Sequence, residues 1–127
     1  MQHVIHYSLH FGFPFFIAFV FFRHEWKKAF FVLICCNLVD LDHLIASPIF
    51  DANRCSINFH FLHSYPAIFI YMLISIIPNR FRLWGIGLLW HMIVDLFDCL
   101  FMFAECKECL IESPAYELLN VLHNLII

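Results

Sequence analysis

Apolar residues fall into four long runs, roughly 4–22, 29–45, 61–77 and 84–103, separated by short polar segments. At about 1.5 Å per residue each run is long enough to cross a bilayer as a helix, the second and third near the lower limit. A last stretch, Ser113–Ile127, opens on a Ser-Pro helix start and is too short to span, so it is expected to lie in the membrane interface or on the bundle. The pattern predicts an all-α integral membrane bundle of four transmembrane helices with a short C-terminal interfacial helix, one domain over residues 1–127.

The polar residues inside these runs recur at helical spacing. His3, His6 and His10 share one face of the first helix, and His91, Asp95 and Asp98 share one face of the fourth. In the second, Asn37, Asp40 and His43 form a stripe, with Asp42 pointing elsewhere unless the helix unwinds there. The third opens with His60 and His63 ahead of Pro66, which a helix tolerates in its first turn. Counting from the basic ends at about 1.5 Å per residue, His10, Asp40, His43, His63, Asp95 and Asp98 all lie about 17 to 23 Å up, with His91 lower at about 11 Å. Four antiparallel helices therefore deliver their polar groups to one layer.

Composition turns this layer into a chemical question. The 127 residues are 63% hydrophobic and 13% charged, too few charges to cover a soluble domain, and the net charge of -3 argues against a nucleic-acid partner. The bilayer is the expected partner. Arg23, Lys27 and Lys28 in one connector and Arg80 and Arg82 in another place those turns in the cytoplasm, with both termini and the 47–60 loop outside. The first run lacks a basic leader and reads as a retained helix, not a signal peptide.

Buried carboxylates cost several kcal/mol when unpaired, and the spans offer Asp40 and Asp95 no Lys or Arg. His and Asp converging in a helix bundle suit a divalent transition metal, zinc first, as one or two ions. The expected ligands are His10, Asp40, Asp42, His43, His63, His91 and Asp95, with His91-x-x-x-Asp95 placing two of them one turn apart. His6 and His60 stand close to stronger candidates and suit a supporting role as well as ligation; Asp98 suits a helix end equally. His3, His24 and His123 read as surface residues. Cys35 and Cys36 read as small packing residues. Cys55, Cys106 and Cys109 fall on the outer side, where disulfides form, although Cys106-x-x-Cys109 also has redox or metal-binding spacing.

The order of a first-helix His, Asp40-Leu41-Asp42-His43, His63-Ser64 and His91-Met92-Ile93-Val94-Asp95 resembles the membrane-bound metal-dependent hydrolases of bacterial inner membranes, the YdjM-like group. Residues 40–65 resemble more closely a small family of integral membrane proteins related to that group. A fainter similarity extends to zinc-dependent phospholipase C and P1-type nucleases. The resemblance covers about residues 6–100 and implies an inner-membrane hydrolase with the ligand set above. On that reading Asp40 and Asp42 hold the cation, a metal-activated water attacks a lipid-like or headgroup phosphoester, and Arg54 at the mouth holds the phosphate. Three non-enzymatic alternatives stand beside it: a haem held between His10 and His91, a metal-ion or proton relay, and a purely structural subunit. The apolar lower half of every helix favours a cup open to the outside over a through-path.

Overall fold

The computed structural model describes residues 2–78 and 80–126, and of residues 2 and 3 the backbone alone, so the expectation for the His3 side chain lies outside the described residues. All regular structure among them is helical. The first rod runs from α1 (Gln2–Tyr7) through a π-helical turn (Ser8–Gly12) into α2 (Phe13–Phe21). The second joins α3 (Trp26–Cys35) to a ten-residue 3₁₀ helix (Cys36–Ile45). After a loop and a short 3₁₀ turn (Phe61–His63) come α4 (Tyr65–Ile76), α5 (Arg80–Glu105) and, past another 3₁₀ turn, α6 (Tyr116–Ile126).

Two helical stretches are long and apolar enough to cross a membrane, Val4–Phe21 and Arg80–Glu105. Of the four expected spans, two meet that test as continuous helices. The second run changes helix type half-way, and α4 is a 12-residue helix, because Phe61–His63 form a 3₁₀ turn and Ser64 is extended. Ser64 caps α4, its hydroxyl accepting from the Ala67 N–H at 3.4 Å, and Pro66 sits in the first turn, where its missing N–H costs nothing.

The π turn in the first rod has a local cause. Pro14 has no N–H for the carbonyl of His10, its α-helical partner, or for that of Leu9, its π-helical partner. Both carbonyls take side-chain donors from other helices: Asn37 Nδ2 donates to His10 O at 3.2 Å and Trp90 Nε1 to Leu9 O at 3.1 Å. The bulge thus ties the first rod to the second and to α5 at the level of the polar layer.

The 3₁₀ helix sorts its residues into three stripes, because three residues per turn bring every third side chain into line. Cys36, Val39 and Asp42 are buried; Leu38, Leu41 and Leu44 are 58–60% exposed; Asn37, Asp40 and His43 face the polar cluster. Asp42 is therefore carried inward by the change of helix type.

α4 and α5 cross closely at Gly85, where a Cβ would run into the backbone of Ser75, while Gly87 faces Cys36. The main core lies along α5, around Met92, Cys99 and Phe103, with Tyr71 from α4 and Leu119 from α6. Cys55 is bonded to Cys99, tying the long loop to α5, and Cys106 is bonded to Cys109. The Cys55 disulfide thus uses a partner inside the fourth apolar run. Cys106 and Cys109 pair with each other instead of binding a metal. Outside the core large apolar side chains such as Phe21, Phe31 and Ile76 are exposed.

Candidate metal centre

Four ligand atoms from three elements meet at one point. His63 Nε2 lies 3.4 Å from Asp40 Oδ1 and 3.0 Å from Asp95 Oδ2; His91 Nε2 lies 3.0 Å and 3.4 Å from the same two oxygens. Ligands bonded to zinc at about 2.0–2.1 Å in a tetrahedron stand about 3.3 Å from one another. Four edges of such a tetrahedron are already in place. His63 Nε2 and Asp95 Oδ2 are 3.0 Å apart yet neither has an aligned hydrogen bond, so both are aimed at shared space and not at each other. Among the described residues, the ion-pair partners of Asp40, Asp42 and Asp95 are all histidines. The donor set and its orphaned atoms fit a divalent cation.

Three of the imidazoles, those of His10, His63 and His91, have Nδ1 held by an acceptor, which turns Nε2 toward the cluster. Asn37 Nδ2 donates to the His10 carbonyl, which fixes the amide so that Oδ1 accepts from His91 Nδ1 at 3.1 Å and from His10 Nδ1 at 3.4 Å. Asp42 Oδ2 accepts from the Leu62 N–H at 2.8 Å and from His63 Nδ1 at 3.2 Å. With Nδ1–H committed, Nε2 of His10 and of His63 is left without a hydrogen-bond partner, and Nε2 of His91 faces Asp40 Oδ1 at 3.0 Å, the contact a cation would replace. Tyr71 donates to Leu62 O at 2.9 Å and steadies the same turn. Asn58, left-handed at φ 59°, shapes the loop by donating its N–H to His63 O at 2.9 Å.

The expected ligands are thus brought together, in graded positions. Asp40, His63, His91 and Asp95 form the tetrahedral set. His10 Nε2 reaches the other oxygen of Asp95 at 3.3 Å, and His43 Nε2 lies 3.5 Å from Asp40 Oδ1. Asp42 orients His63, and its free oxygen groups with His43 and His60. His60 stacks on His43, ring centres 3.9 Å apart. His6 approaches Asp98 at 4.0 Å. Arg54 is committed to its own loop, donating to Pro48 O at 2.7 Å and packing on Phe59, 4.9 Å from the ring centre. The residue that sequence reasoning undervalued is Asn37, already visible in the Asn37-Asp40-His43 stripe. Ring centres of His10 and His91 are 4.4 Å apart, too close for an iron and two axial bonds between them, so the haem alternative has no geometric support.

Among protein families, residues 1–102 match a family of unknown function, DUF6122. The chain belongs to this family. No curated protein and no solved structure is similar to it. The resemblance to YdjM-like hydrolases, and the fainter one to phospholipase C and P1-type nucleases, is overturned by this result: no hydrolase family matches, and the function of the family that does is unknown. The matched region contains every residue of the tetrahedral set.

Proposed function

We propose that this protein is a membrane-embedded, metal-dependent hydrolase that cleaves a phosphoester of a lipid-like or headgroup substrate. The observation that carries the reading is the tetrahedral spacing of Asp40, His63, His91 and Asp95, with two imidazoles locked in the ligating tautomer. Zinc is the first choice for this nitrogen and oxygen set.

Four rods crossing a bilayer account for the apolar exterior. The second rod gains length from its 3₁₀ half: about 15 Å of α-helix and about 20 Å of 3₁₀ helix make about 35 Å, enough for the hydrocarbon core. α4 covers only about 18 Å. The segment that precedes it finds partners for its backbone within the protein, Leu62 N–H donating to Asp42 and Leu62 O accepting from Tyr71, which supports its placement at that depth. Basic residues at 23–28 and 80–82 support a cytoplasmic placement of those turns, and a bacterial inner membrane is the setting proposed.

A bound divalent cation supplies a water with its pKa lowered to about 7 and a Lewis acid for the phosphoryl oxygen. The chain's own residues define where reaction occurs. Three of the four ligands are buried, but the Asp40 side chain is 43% exposed, so substrate and water reach the centre on that side. His43, half-buried with Nε2 lacking a hydrogen-bond partner 3.5 Å from Asp40, is placed to take a proton from the attacking water. Water adds to phosphorus, the ester P–O bond breaks, and the alcohol leaves with one of the water's protons.

Elemental analysis of the detergent-purified protein tests the reading, with His91→Ala and His63→Ala beside it. Bound zinc, manganese or iron that both substitutions remove is expected, together with hydrolysis of phosphodiester lipids in proteoliposomes that they abolish. Metal-free wild-type protein would sink the proposal, and metal without turnover would reduce it to a metal-binding protein.

A further inference from the structure

We infer that His6, His10 and Asp95 form a second cation site, joined to the first through the two oxygens of the Asp95 carboxylate. The inference rests on the first centre being a metal site.

Asp95 is a two-sided residue. Its Oδ2 faces His63 Nε2 at 3.0 Å and His91 Nε2 at 3.4 Å, while its Oδ1 faces His10 Nε2 at 3.3 Å. A carboxylate with each oxygen aimed at a separate set of imidazole nitrogens has the form of a bridge. On the second side, His10 Nε2 and His6 Nδ1 are both buried and both lack a hydrogen-bond partner. One ligand atom each from His6, His10 and Asp95 lies within 4.8 Å of the others. The two rings, on successive turns where the α-helix passes into the π turn, have centres 4.4 Å apart and are tilted by 59°, so they are not stacked face to face. Asp98, one turn beyond Asp95 on α5, brings Oδ1 to 4.0 Å from His6 Nδ1 and completes the surroundings.

The opposite flank of the first centre is a weaker site. His43 and His60 stack nearly parallel at 14°, so their in-plane lone pairs run side by side, and one Asp42 oxygen is already used by Leu62 and His63. Two cations sharing one carboxylate would stand about 3.5–4 Å apart, the spacing at which a pair of ions clamps both the attacking and leaving oxygens of a phosphoryl group. The second ion thereby specifies the class of the proposed reaction as two-metal phosphoester cleavage. His6 is the more solvent-accessible ligand of the site and leaves it one side for water or substrate.

The test is stoichiometry and magnetic coupling in the full chain. Wild type loaded with Mn(II) is expected to hold two ions per chain with the electron paramagnetic resonance signature of an exchange-coupled pair. His6→Ala is expected to hold one, with the signal of an isolated ion, and Asp95→Ala to lose the pair altogether. Saturation of wild type at one ion that His91→Ala removes and His6→Ala leaves untouched would overturn the second site while leaving the first. Two ions without coupling would overturn the bridge, and no ion at all would overturn both readings. Because titration and spectrum are read on the unsubstituted protein, a variant that fails to fold does not remove the test.

Discussion

Asn37 offers the sharpest test of how the centre is built, since it touches no cation position yet fixes two rings. In Asn37→Leu, His91 Nδ1–H and His10 Nδ1–H lose their shared acceptor, and the His10 carbonyl loses a donor. The 3.1 Å bond to His91 is the one that matters for the first ion, because His10 is outside the tetrahedral set and its bond, at 3.4 Å, is near the limit of hydrogen bonding. Loss of such a partner typically weakens metal affinity 10- to 100-fold, about 1.4 to 2.7 kcal/mol. Buried donors left without acceptors add about 1–3 kcal/mol each to the cost of folding without metal. The assay is a chelator competition titration with zinc in detergent, beside a thermal melt of the metal-free protein. Asn37→Asp keeps an acceptor for both rings and is expected to restore at least wild-type affinity, which separates ring orientation from packing. Unchanged affinity in Asn37→Leu, with His91→Ala losing the metal, would show that the imidazoles orient themselves and would refute the reasoning.

Three further outcomes test the scaffold. Gly85→Ala places a Cβ against the Ser75 backbone and is expected to cost about 1–3 kcal/mol in thermal or denaturant unfolding, whereas Gly12→Ala, with open space around it, is expected to be neutral or better. Removing the Cys55–Cys99 bond with Cys55→Ser releases a closure of 44 residues, worth about 4 kcal/mol for a free chain and less here because helices already confine the loop; a melt that matches wild type would show the loop to be held by other contacts. Leu41→Arg, on the exposed stripe of the 3₁₀ helix, is expected to cost about 2.5–3.5 kcal/mol of insertion, read as a larger fraction extracted from membranes at alkaline pH. Full solubility of wild type without detergent would contradict the membrane reading directly.

The polar layer was legible because of scarcity. In a chain this apolar, each His and Asp at helical spacing marks a face, and rise per residue alone brought His10, Asp40, His43, His63 and Asp95 to one height, where the ion-pair distances now place them together. Family resemblance was a poorer guide: the same motifs suggested a hydrolase group, and the family that matches is one of unknown function. Short motifs such as His-x-x-x-Asp record ligand spacing on a helix and not the reaction performed on the ligand.

By itself the amino-acid sequence determined that the protein is helical and apolar, and that His and Asp converge where no Lys or Arg can neutralise them. Periodicity and composition are local quantities, and they suffice for that. Tertiary structure decided where the carbonyls freed by Pro14 go, since their partners lie far along the chain, Trp90 for the Leu9 carbonyl and Asn37 for that of His10, and it showed the change of helix type at Cys36–Ile45. It also decided the division of labour among the carboxylates. Asp40 and Asp42 are two residues apart and chemically identical, yet one faces the cation position and the other grips the back of His63, since three residues per turn send them to different stripes.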